Sequence, residues 1–233
     1  MLPANGQGLL STHDHRARVE DMARFGGFSG RAVEFYVELA ANNTREFWAE
    51  HKAVYEGEIR DPMRALVAEL EPDFGSCSLF RPHRDIRFSK DKSPYKTYQA
   101  AFAGISPGIG YYVHLDARGL SAGGGFHAHS SAQVDRYREA VDDDATGSDL
   151  SEIVAALREN GFAVEGEQLK TKPRGYGIDH PRIDLLRYKS LMTAKRFGTP
   201  AWLGSPKALD EVHIAWQQVT PLSEWIIAHV GPA

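Results

Sequence analysis

The chain has 233 residues, 42% of them hydrophobic and 25% charged, with a formal net charge of -4, enough apolar material for one sizeable core. No apolar run approaches the roughly 20 residues of a membrane span and the N-terminus lacks a basic-then-apolar signal, so a cytoplasmic protein without a membrane partner is expected. The single cysteine, Cys77, excludes an internal disulfide and a thiolate zinc cluster, and mild acidity argues against wholesale coating of nucleic acid while leaving room for a local basic groove.

Residues 1–24 carry no periodicity and read as a flexible leader, with Met22 a candidate start, and 25–230 as a single domain. Ser29 is placed as the N-cap of a short helix whose buried stripe is Val33, Tyr36, Leu39 and Ala40. Asn43 with Glu46 three residues on reads as the start of the next helix, with Phe47, His51, Val54, Tyr55 and Ile59 inward. Asp61 and Pro62 predict a restart or kink, and Pro72 with Gly75 a stop.

From Cys77 the period changes. Arg84–Ser89 alternates, with Ile86 and Phe88 beside Arg84 on one face and Asp85, Arg87 and Ser89 on the other, as in a half-buried strand. KDKSP reads as a turn. Thr97 to Ala103, Gly110 to Asp116 and Leu120 to Phe126 are strands, the last two joined by a tight turn near Ala117 and Arg118. Helices over Ser131 to Val141 and Ser148 to Asn160, a short strand within Phe162 to Leu169, a proline- and glycine-punctuated loop, a short helix over Arg182 to Tyr188, a strand over Lys189 to Thr193 and a closing helix over Pro206 to His229 complete the order. This is an α+β pattern: an antiparallel meander covered by helices, with an N-terminal helical segment and a C-terminal helix in one domain.

The densest charge lies in FRPHRDIRFSKDKSPYKT, residues 80–97, where Arg81, Arg84, Arg87, Lys90, Lys92 and Lys96 outnumber Asp85 and Asp91. Arginine forks bind phosphate or carboxylate through paired hydrogen bonds and lysine adds a mobile charge, so this stretch reads as an anion site; the competing reading is a network of internal ion pairs. A second basic group, Lys170, Lys172, Arg174, Arg187 and Lys189, is flanked by Tyr176, Tyr188 and His180. The leading arrangement gathers Arg84, Arg87, Lys92, Tyr95, Lys96, Arg174 and Lys189 around one anionic small molecule, with Asp85, Asp91 and His180 as acid or base groups if a phosphate or carboxyl ester is processed. Nucleic acid is the second partner, read by the same cations.

No cofactor and no metal is expected. If Asp116 faces Gly119 across the turn, His127 lies opposite Gly108, six residues from His114, which is about 20 Å and too far for shared coordination. Gly123–Gly125 lacks the G-K-[ST] ending of a P-loop and the spacing of a dinucleotide fingerprint, and no nucleophile elbow occurs. Glycines here are expected to admit close backbone or aromatic approach.

Three segments, ANNTREFWAEHKAVYEGEIRDPM at 41–63, RPHRDIRFSKDKSPYKT at 81–97 and PRGYGIDHPRIDLLRYKSL at 173–191, together with their order and spacing, resemble a widespread bacterial and fungal family of conserved hypothetical proteins classed as a domain of unknown function. The resemblance covers about residues 25–230 and implies one domain; it brings no assigned activity. After the triple glycine the family often shows an aromatic and then proline with an acid, where this chain has Phe126-His127-Ala128-His129.

Overall fold

The computed structural model describes residues 24–87 and 90–232. The expectations of a leader, of a start at Met22 and of positions for Phe88 and Ser89 lie outside the described residues.

Gly30–Ala41 forms α1 after Ser29, whose hydroxyl donates to Glu58 at 2.6 Å instead of capping the helix. Arg45–Val54 forms α2, and here Thr44, not Asn43, is the N-cap, its Oγ1 accepting the Phe47 N–H at 3.1 Å. The chain does not break before Pro62. Tyr55–Arg60 winds as a π-helix and Asp61–Phe74 continues as α3. Pro62 has no N–H to give to the carbonyl four residues back and its ring crowds that carbonyl; of the restart or kink that the sequence predicts, the restart does not occur, because a widened turn just before Pro62 keeps the helix continuous.

Six strands among the described residues make one antiparallel sheet: β1 (Cys77–Leu79), β2 (Tyr98–Ser106), β3 (Ile109–Asp116), β4 (Gly119–His127), β5 (Ala163–Glu165) and β6 (Ser190–Gly198), in the order β1-β2-β3-β4-β6-β5. Asp116 pairs with Gly119, and the His127 N–H donates to the Gly108 carbonyl, the register read from the sequence. The strand after Lys189 is longer than expected, reaching Gly198, because it pairs along the whole of β4.

The helices pack on one face of this sheet. Trp216 of α7 (Lys207–His229) stacks on Tyr111 at 5.4 Å, Phe74 of α3 meets the same ring edge-on at 5.0 Å, and Tyr137 of α4 (Ser131–Asp142) lies 6.0 Å from Phe126. Gly124 lets α7 in close: a Cβ there would lie 2.5 Å from the Gly110 carbonyl oxygen and 3.0 Å from a Val219 methyl, the close approach expected of the triple glycine.

Before α5 (Asp144–Glu159), the last carbonyls of α4 are taken up by Arg182, which precedes the short α6 (Ile183–Leu186). Its Nε donates to the Val141 carbonyl at 2.6 Å and its Nη2 to the Asp142 carbonyl at 2.7 Å. A cation on the unpaired carbonyls at a helix C-terminus satisfies acceptors that the helix leaves open and complements its dipole.

Candidate anion-binding site

The loop between β1 and β2 is closed at its base by a short ribbon. His83 bridges Tyr95, the Arg84 N–H donates to the Pro94 carbonyl at 2.9 Å and the Lys96 N–H to the Pro82 carbonyl at 2.8 Å. Asn43, freed from capping, clamps this ribbon through two hydrogen bonds with the backbone of Tyr95. The Tyr95 ring stacks on Trp48 at 4.1 Å and is buried, so Tyr95 anchors the loop to the core.

Among the described residues, 84–87 do not form the expected strand. Asp85 accepts the Arg87 N–H and Asp91 accepts the Ser93 N–H, and such local side-chain bonds offer the backbone an alternative to a ladder. The cations divide accordingly. Arg87 forks onto Asp85 at 2.7 and 3.0 Å, Arg84 Nη1 meets Asp91 at 2.5 Å, and Lys92 Nζ donates to the Ile86 carbonyl at 2.8 Å. Hydrogen bonds from Arg87 hold the Asp85 carboxyl below its ordinary value, and those from Ser93 do the same for Asp91, so both carboxylates stay ionised and serve as acceptors.

Lys96 is different. Its ammonium lies 5.1 Å from the Phe80 ring centroid and 5.9 Å from that of Tyr98, and neither Lys96 nor Arg81 makes a salt bridge among the described residues. Burial, then repulsion from Arg81 and Arg84, lowers the pKa of Lys96. Arg84 adds a buried Nε that has no hydrogen-bond partner among the described residues.

The second basic group does not join this site. Tyr98 is level with Asp116, Gly119 and the end of β6, whereas Lys189 precedes the opposite end of β6, beside His127. With about 3.3 Å per residue along a strand and about 4.8 Å between strands, Tyr98 and Ser190 lie roughly 30 Å apart, and Lys96 and Lys189 precede them at diagonal corners of the sheet. One phosphate-sized ligand cannot bridge that span, so the single pocket that includes Arg174 and Lys189 is corrected. Lys189 pairs with Glu167 at 2.6 Å, and Arg174 is an exposed residue of the loop between β5 and α6. His180 accepts the Arg182 N–H on Nδ1 at 3.0 Å and places Nε2 3.1 Å from Asp142, an arrangement that ties this loop to the end of α4.

The cations that do approach the loop come from a place the sequence reading passed over. Lys52, Arg60 and Arg64, with Glu56 between them, line a cleft of about 510 Å³ together with Arg81 and His83; Trp48, Tyr55 and Gln99 also line it. Residues four apart drift by about 40° per step around an α-helix; the wider π-turn runs the other way, returning Arg60 and Arg64 to the side of Lys52. The four-residue spacing of 52, 56, 60 and 64 was the available signal, concealed by helical drift. At the cleft, the Tyr55 hydroxyl donates to Gln99 at 2.7 Å and Gln99 donates to the Phe80 and Ala100 carbonyls, both at 2.9 Å; burial pushes the Tyr55 phenol up to about 12, so it remains a donor. A second hollow, lined by Arg81, His83, Arg84, Asp85, Ile86 and Arg87, shares Arg81 and His83 with the first.

Fold and site together define an α+β domain with helices on one sheet face and a basic loop clamped at the sheet edge. A family model described as "Conserved hypothetical protein (DUF2461)" matches residues 31–225, and the chain belongs to that family. No curated protein and no solved structure matches it.

Proposed function

We propose that the protein binds a phosphate- or carboxylate-bearing ligand at Arg81, Arg84 and Lys96, with Lys52, Arg60 and Arg64 along the adjoining cleft, and that it does so in the cytoplasm. One observation carries this reading: Lys96 sits on two aromatic rings beside two arginines, and no carboxylate pairs with it among the described residues. An incoming anion relieves that repulsion and takes charge-assisted hydrogen bonds from a site already desolvated on one side. Among the described residues no helix is long and apolar enough to cross a membrane, and the unpaired thiol of Cys77 suits a reducing compartment.

Amide NMR during titration with inorganic phosphate tests the reading. We expect shifts concentrated at 81–84 and 94–96 that saturate in the millimolar range or below. Uniform drifts without saturation, or shifts centred on 167–189, would remove it. A steep salt dependence with single-stranded DNA in place of phosphate would move the ligand class to nucleic acid.

A further inference from the structure

The two faces of the sheet differ. Helices cover the face that carries Gln99, Tyr111 and Val113, while pairing register assigns Phe80, Tyr98, Phe102, Tyr112 and His114 to the other. The ring contacts of Tyr98 and Tyr112 are with this same group: Tyr98 stacks on His114 at 4.7 Å, and Phe80 and Tyr112 lie 6.0 Å apart. All five are only partly buried. The Tyr112 hydroxyl is 2.9 Å from His114 Nδ1, and His114 Nε2 is 3.1 Å from Asp116 Oδ2, so Tyr112 is held in place before any ligand arrives.

Lys96 stands at the margin of this surface, directly over Phe80 and Tyr98. An anion held by Lys96 and Arg84 therefore has a fixed aromatic surface one ring away. Aromatic side chains on a sheet face, with cations at the margin, are the arrangement on which flat heterocycles stack while their phosphates are neutralised.

Resting on the anion reading above, we infer that the ligand is a nucleoside monophosphate or a similar aryl phosphate: its phosphate lies against Arg81, Arg84 and Lys96, and its ring stacks on Tyr112 with Phe80, tilted by 56°, at its edge. The cluster has three cations at its centre and suits one phosphate group better than a long polyanion.

Calorimetric titration with AMP, ribose 5-phosphate and inorganic phosphate tests this. AMP is expected to bind about tenfold or more tighter than ribose 5-phosphate, the usual gain from one stacked base. Tyr112→Leu should abolish that advantage while leaving ribose 5-phosphate binding unchanged, which also reports that the variant is folded; Tyr112→Phe should keep the advantage. Should Tyr112→Leu fail to fold, Phe80→Leu serves instead, and because Phe80 also carries Lys96 the ratio of AMP to ribose 5-phosphate affinity is what is read there. Equal affinity for AMP and ribose 5-phosphate, or an AMP advantage that survives in the leucine variants, overturns the inference and leaves anion binding standing. Failure of all three ligands to bind overturns both.

Discussion

The carboxamide of Asn43 holds the backbone of Tyr95 from both sides: Nδ2 donates to the Tyr95 carbonyl at 2.9 Å and Oδ1 accepts the Tyr95 N–H at 3.1 Å. A side chain at the corner between α1 and α2 thus stands in for a neighbouring strand and fixes the base of the basic loop. Asn43→Ala leaves a donor and an acceptor of a buried residue without partners. We expect a loss of about 1–3 kcal/mol in chemical denaturation and weaker phosphate binding from the loosened ribbon; a change below about 0.5 kcal/mol would show that the clamp is idle.

The pH dependence of stability follows from His114 and Asp116. Burial lowers the His114 pKa against the pull of Asp116, so the folded ring stays neutral where an unfolded histidine, near 6.5, takes a proton. The stability gained by neutrality is present above that value and is lost as the pH falls through the lower folded one. Burial also raises Asp116, but the Arg118 N–H and the His114 ring outweigh it and hold the carboxyl low; its contribution is present above about 3.9 and is lost as the pH falls through the folded value. Both losses lie on the acid side. Denaturation midpoints should fall from pH 7 to pH 5 in the wild type and fall less in His114→Asn, and parallel curves would contradict the assignment.

Arg182 offers a test of the fold away from the site. Its side chain is 10% exposed and serves two carbonyls at the end of α4 and the Asp144 carboxylate at 3.0 Å. Arg182→Ala should cost roughly 2–3 kcal/mol, since hydrogen bonds from a charged group are worth more than neutral ones and the carbonyls are left open. Phosphate binding should be untouched.

Cys77 should be inert. Burial, with the Glu71 carboxylate adding to it, pushes the thiol up to about 12, so the folded protein at pH 8 holds roughly a thousandfold less thiolate than an ordinary cysteine. Reaction with a disulfide reagent should be slow when folded and fast in denaturant; rapid labelling of native protein would contradict the raised thiol pKa of this half-buried residue.

The meander and its register were legible because a two-residue turn between alternating runs leaves one pairing, and Asp116 with Gly119 then fixes every pair down to His127 and Gly108. The loop was half legible. Charge density marked residues 80–97, but alternation suggested a strand where Asp85 and Asp91 bond to the nearby backbone instead. Arg174 and Lys189 were drawn in by composition alone: nothing local says that β6 inserts between β4 and β5 and carries Lys189 to the far corner. Lys52, Arg60 and Arg64 were missed because their alignment depends on a π-turn, which has no periodicity of its own, and Asn43 because a cap and a clamp use the same side chain.

The central claim is that the anion site is built at Arg81, Arg84 and Lys96 and excludes the second basic group. Calorimetric titration of inorganic phosphate into the wild type, Arg81→Ala, Lys96→Ala, Arg174→Ala and Lys189→Ala tests it most directly. We expect the first two variants to lose about tenfold or more in affinity, the worth of one charge-assisted hydrogen bond, and the last two to match the wild type. Unchanged binding in Lys96→Ala, or a comparable loss in Lys189→Ala, would contradict the account.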